Sequence, residues 1–139
     1  MSVTRRRFVE EARSWINTPF HHAGRCRAGV DCAGILVVTC AGLGLPHADR
    51  TGYSRYSAGT AMPDGLAEFC DRISLEEARL GDVLTFYRSK KGREEHLAIF
   101  VPPGSIVQAW TKGGVREVTL DERWRSRLVG AWHVRGVMD

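Results

Sequence analysis

The stretch Gly29-Val30-Asp31-Cys32-Ala33-Gly34-Ile35-Leu36-Val37-Val38-Thr39-Cys40, GVDCAGILVVTC, sets a thiol between an acidic residue and a small pair, then runs into apolar residues. Pattern alone leaves this run open between a buried strand, which its β-branched residues suit, and a buried helix. Its length, the Asp31 ahead of it and the Gly42-Leu43-Gly44-Leu45-Pro46 stop behind it favour a helix from Cys32 to about Ala41. With Asp31 as the cap, Cys32 falls in the first turn. There N–H groups lacking helical acceptors and the positive dipole end stabilise a thiolate. The same N–H groups can receive a developing oxyanion. Cys32 is therefore the candidate nucleophile, with a pKa expected below the free-cysteine value of about 8.5. Cys40, inside the run, reads as core.

Upstream, Phe8, Val9, Ala12, Trp15 and Ile16 recur at helical spacing over residues 4–16, and Thr18-Pro19 ends that helix. A polar loop, 20–31, leads to Cys32. Downstream, residues 47–62 read as loop. Pro63 to Ile73 reads as a short helix with Leu66, Phe69, Cys70 and Ile73 on one side. From Leu80 the period changes. Val83–Tyr87, His96–Val101, Ser105–Trp110, Val115–Leu120 and Val129–Val137 read as short strands, with Gly and Pro in most gaps and one helical excursion at Asp121 to Leu128. Short connections imply antiparallel pairing. Helices first and about five strands after them make an α+β domain.

A cysteine nucleophile needs a base, and the base needs an orienting partner. Of the five histidines, His96 opens the strand HLAIFV, and Gln108 lies twelve residues on, inside SIVQAW. The even separation and a hairpin around Val101–Pro103 place the two roughly opposite, on one face. A glutamine carbonyl can hold the imidazole in one tautomer.

The 139 residues suit a single domain, 1–139, with 43% hydrophobic and 26% charged residues. Net charge is +4 and the pI about 9.1. The basic clusters at Arg5–Arg7 and around Trp124 read as solvated helix faces. No zinc-finger spacing, RNP-like strand or Gly-rich phosphate loop points to nucleic acid, and no apolar run points to a membrane. The four cysteines show no CxxC spacing and the histidines no HExxH, so no metal site is expected. Trp110, Trp124 and Trp132 read as core in preference to a sugar-binding surface. The N-terminus, MSVTRRRFVEEARSW, lacks an apolar h-region, so synthesis in the cytoplasm without a secretory signal is expected, with the cysteines reduced.

Taken in order, INTPFHH, GVDCAGIL, LGDVLTFY, EHLAIFV and IVQAW resemble the motifs of the NlpC-type cysteine peptidases of bacterial cell walls, and the tail LDERWRSRLVGAW is similar to the closing segment of their phage-tail-associated members. The resemblance implies a papain-like fold with Cys32 as nucleophile, His96 as base and Gln108 as orienter. It implies substrate contacts at Asp31, which in the family can meet a free amine, and at Phe20, where the family usually carries Tyr with its hydroxyl near the thiol; His22 is a further polar group there. Gln108 stands where the family most often has His. The implied activity is hydrolysis of an amide bond in peptidoglycan stem peptides, typically the γ-D-glutamyl–diamino-acid bond, without cofactor. The implied partners are the stem peptide and phage tail proteins, and the implied location is the virion tail. Two alternatives stand beside it: a non-catalytic tail-assembly or wall-binding module that keeps the fold, and a thiol acyltransferase or deamidase.

Overall fold

The computed structural model describes residues 2–50 and 61–139. It has an α+β architecture built on a six-stranded sheet in the order β4-β9-β5-β6-β7-β8, every neighbouring pair antiparallel. The strands are β4 (Cys70–Ile73), β5 (Val83–Phe86), β6 (His96–Val101), β7 (Ser105–Trp110), β8 (Gly114–Thr119) and β9 (Leu128–Val134). The helices are α1 (Arg5–Arg13), α2 (Cys32–Gly42), α3 (Ala61–Ala67) and α4 (Glu122–Arg125).

Both faces of the central strands β5, β6 and β7 are buried, which is why these strands read as near-continuous apolar runs. Successive residues alternate between two clusters. Val83, Leu97, Ile99, Val101, Val107, Ala109 and Val115 join Phe8, Ala12, Ile35 and Leu36 of α1 and α2 in the larger core. Leu84, Phe86, Ala98, Ile106 and Ala131 form a second, against which Trp124 of α4 packs. The helix α2 is buried from Gly34 to Cys40 and apolar on all sides, so its register is held by its ends and not by a polar face.

Two expectations are corrected here. Residues 63–73 do not form one helix: α3 ends at Ala67, and Cys70–Ile73 becomes an edge strand paired with β9 from Cys70↔Val134 to Ile73↔Ala131. Only Cys70 is fully buried in that strand, and Arg72 lays its guanidinium over the Trp132 ring at 4.2 Å, so cross-strand contacts override the helical spacing. The sheet therefore has six strands. Arg5 is no solvated face either: it pairs with buried Asp82 at 2.9 Å and with Asp139 at 2.9 Å. It thereby ties α1 to the chain's end, where β1 (Val3–Thr4) pairs with β10 (Val137–Met138). The loop read over 47–62 lies outside the described residues for 51–60.

The loop before α2 carries a small hairpin, β2 (Arg25–Cys26) with β3 (Gly29–Val30), which delivers Asp31 to the helix start. A Cβ on Gly34 would meet the Gly24 carbonyl oxygen at 2.5 Å, so only glycine lets this loop close on the first turn of α2.

Candidate active site

Asp31 is the cap of α2. Its Oδ1 accepts the Gly34 N–H at 2.8 Å, its Oδ2 accepts the Ala23 N–H at 2.8 Å, and Arg25 donates to Oδ1 at 3.0 Å. The carboxylate is 4% exposed. Cap, loop and ion pair thus fix where the next residue, Cys32, sits.

Cys32 is partly exposed to a cleft whose lining also includes Phe20, His22, Asp31, Arg88, His96 and Trp110. The backbone N–H groups of Leu97 and Ala33 are directed at its sulfur. The β6–β7 ladder explains the first of these: it runs from Val101↔Ser105 to Ile99↔Val107 and stops short of His96, leaving the Leu97 N–H to the thiol. Cys32 therefore lies against the residue that follows His96.

His96 is 2% exposed and Gln108 3%. His96 Nε2 and Gln108 Oε1 are 2.6 Å apart. An amide oxygen can only accept, so Nε2 carries the proton and Nδ1 is left bare as a base. The two residues share a face, as the even spacing predicts, but they are not opposite one another. Continuing the register of Ile99↔Val107 sets His96 against Trp110, and Gln108 reaches it diagonally. The imidazole is boxed by aromatic rings: Trp110 edge-on at 5.3 Å, Trp124 stacked at 5.7 Å and Phe86 at 6.0 Å. Trp132 is core, as read from sequence, whereas Trp110 and Trp124 are half-buried walls of the histidine's setting.

The electrostatics differ from the sequence expectation. Burial pushes the Cys32 thiol up to about 11, and the Asp31 charge pushes the same way, against smaller opposing effects of the Leu97 N–H and Arg88. Burial lowers His96 to about 4, with the Gln108 bond opposing and Arg88 assisting. The helix terminus does not lower the thiol below 8.5, because desolvation outweighs it. At neutral pH the pair rests as thiol and imidazole, both uncharged.

Phe20 bridges to Val30 and lines the cleft, bringing a ring without a hydroxyl; His22 lines it as well. Sequence reasoning missed Arg25, Arg88, Trp110 and Trp124 as parts of the site. Trp110 had a signal, its even distance from His96; the arginines had none. Among the described residues, no group of three or more His, Cys, Asp or Glu side chains could hold a metal ion, and no helix is long and apolar enough to cross a membrane.

A capped buried helix that starts with cysteine, set against an antiparallel sheet carrying histidine and its amide partner, is a papain-like α+β arrangement. The chain belongs to the NlpC/P60 family, whose profile matches residues 17–133. It is 29% identical over 133 residues to the probable endopeptidase NlpC of Escherichia coli K12, covering 92% of this chain and 75% of that one. The NlpC/p60 domain of the peptidoglycan hydrolase SagA superposes with a TM-score of 0.60 at 26% identity, covering 95% of this chain and 98% of that one. RipD of Mycobacterium tuberculosis, described as a non-catalytic NlpC/p60 domain protein adapted to peptidoglycan binding, superposes at 0.65 with 14% identity, covering 94% and 96%. Other family structures are longer, and the chain spans 42% of two of them.

Proposed function

We propose that the chain hydrolyses an amide bond in peptidoglycan stem peptides, with Cys32 as nucleophile, His96 as base and Gln108 as the residue that orients the base. The observation that carries this reading is the 2.6 Å bond from buried His96 to Gln108, which leaves Nδ1 bare beside the cleft that Cys32 lines. Because thiol and imidazole rest uncharged, proton transfer accompanies attack. Nδ1 takes the thiol proton as Sγ bonds to the carbonyl carbon, and the carbonyl oxygen becomes an oxyanion. The Cys32 N–H, which opens α2 ahead of the Gly34 N–H taken by the Asp31 cap, receives that charge, a part that Phe20 cannot take. The tetrahedral intermediate collapses, the C–N bond breaks, and imidazolium gives its proton to the departing amine. Water, deprotonated by the same nitrogen, then splits the thioester and restores the thiol.

The γ-D-glutamyl–diamino-acid bond is the target this reading assigns. The motif order through the tail segment supports a phage-tail setting, with other tail proteins as partners. A second reading, a peptidoglycan-binding module without turnover, is favoured by the missing hydroxyl at Phe20 and the likeness to RipD. Digestion of purified peptidoglycan separates the two. The peptidase releases free amino groups and Cys32→Ala releases none; the module sediments with the wall and releases none in either form.

A further inference from the structure

Three arginines line the cleft: Arg25, Arg50 and Arg88. Arg25 is answered by Asp31 and Asp49, and Arg50 by Glu68. The guanidinium of Arg88 is different, with no carboxylate and no hydrogen-bond acceptor among the described residues. The cleft's carboxylates are answered too. Asp31 holds Arg25 and two N–H groups, and Glu94 holds Arg72, Thr85 and Trp132. Glu95 Oε1 accepts the N–H groups of Arg88, Ser89 and Lys90, and its Oε2 accepts the Ser89 hydroxyl.

Although Arg88 is exposed at the rim, its backbone is fastened at both ends. Its N–H donates to Glu95 at 2.8 Å, and its carbonyl accepts from Arg127 at 3.0 Å. Its guanidinium stands 5.8 Å from the centre of the Trp110 ring, which in turn packs edge-on against His96. Its charge acts on both the Cys32 thiol and the His96 imidazole, lowering each. A cation whose backbone is fastened beside the reacting groups, with its donor fork unused among the described residues, is a binding group for an anion.

We propose that Arg88 is the anion-binding residue of this cleft and takes a free carboxylate of the substrate peptide adjoining the scissile amide. The inference rests on the reading of the cleft as a peptide-amide site. A glutamyl residue joined through its γ-carboxyl keeps its α-carboxylate free, a few bonds from the scissile carbonyl. A diamino acid with a second carboxylate offers the same chemistry on the amine side. Either way, the cleft selects an acidic peptide, and converting that one carboxylate to an amide removes the selected feature.

The test is a binding titration of the full chain carrying Cys32→Ala, with Arg88 retained or replaced in Arg88→Gln, folding being checked by thermal melt. The peptides are Ala-γ-Glu-diaminopimelate, its glutamyl α-amide, and the analogue with lysine in place of diaminopimelate. The expected result is a loss of about 10-fold to 100-fold in affinity for one of the two altered peptides, and the identity of that peptide says which carboxylate is taken. Arg88→Gln should weaken the acidic peptide by the same factor and leave the altered one unchanged. Equal weakening of all three peptides, or no change in any, overturns the inference, as does failure of all three to bind. Hydrolysis by the chain with Cys32 intact is scored separately. Binding through Arg88 without amine release keeps the inference and removes the peptidase reading. Equal cleavage of all three peptides keeps the peptidase and removes the inference.

Discussion

His96 and Gln108 are diagonal neighbours, not cross-strand partners, and still meet at 2.6 Å with both side chains buried. The position opposite His96 belongs to Trp110, whose ring stands edge-on to the imidazole. Strand pairing thus supplies an aromatic wall at one site and a tautomer-fixing carbonyl two residues away.

Gln108→Leu is expected to lower the hydrolysis rate ten- to several hundred-fold, about 1.4–3.5 kcal/mol, without abolishing it. Losing the amide frees the ring and leaves Cys32 and His96 chemically intact. Gln108→His is expected to stay active. The rate on peptidoglycan fragments is the measurement, and an unchanged rate in a well-folded Leu variant leaves a Cys-His dyad.

Alkylation of Cys32 is expected to follow a thiol held near 11. The rate should rise about tenfold per pH unit from pH 7 to pH 9, since only the thiolate reacts. Iodoacetamide labelling, located by mass spectrometry, reads this directly. A rate that is flat between pH 5 and pH 8 would indicate a standing thiolate–imidazolium pair, and the neutral resting state would be wrong.

Acid should destabilise the fold through His96. Its folded pKa, about 4, lies below the unfolded value of 6.5, so the unfolded chain binds the extra proton. Stability is then fully present above pH 6.5 and is lost as pH falls toward 4, by up to about 3 kcal/mol. Glu95, held at about 2 by the N–H groups of residues 88–90, adds its own loss only below about 4.5. Chemical denaturation at pH 7, 5.5 and 4.5 tests this. His96→Gln should flatten the slope between the first two, and an unchanged slope would remove His96 as its source.

Blocking the substrate's terminal amine should matter little. The Asp31 carboxylate is buried and committed to Gly34, Ala23 and Arg25, so no bare charge awaits an ammonium group. An N-acetylated tripeptide should be cleaved within about threefold of the free one in kcat/KM, because a lost charge-assisted contact costs ten-fold or more. A hundred-fold drop would restore Asp31 as an amine-binding group.

Much of this was legible in the chain, and the reasons are local. Asp31 before a small pair and an apolar run signals a capped helix because capping is a contact between near neighbours. His96 and Gln108 share a face because strand alternation counts residues. Register is set by where the hairpin turns, so the two-residue offset that puts Trp110 opposite His96 needed the folded sheet. Cys70–Ile73 misled for the opposite reason: its apolar spacing fits a helix, while its pairing partner Val134 is more than sixty residues away. The thiol's titration was misjudged because burial depends on everything packed around it. Arg88 is silent in sequence, a charged residue after a strand, until Glu95 and Arg127 are seen to fasten it.

The central claim is that Cys32 attacks the peptide and carries its acyl group. The direct measurement is intact-protein mass spectrometry of the chain mixed with Ala-γ-Glu-diaminopimelate and quenched in acid within seconds, followed by peptide mapping. The account predicts a mass increase equal to the Ala-γ-Glu acyl fragment, mapped to Cys32, absent in Cys32→Ala, and accompanied by at least one free diamino acid per adduct. Release of the diamino acid at an undiminished rate by Cys32→Ala would contradict it.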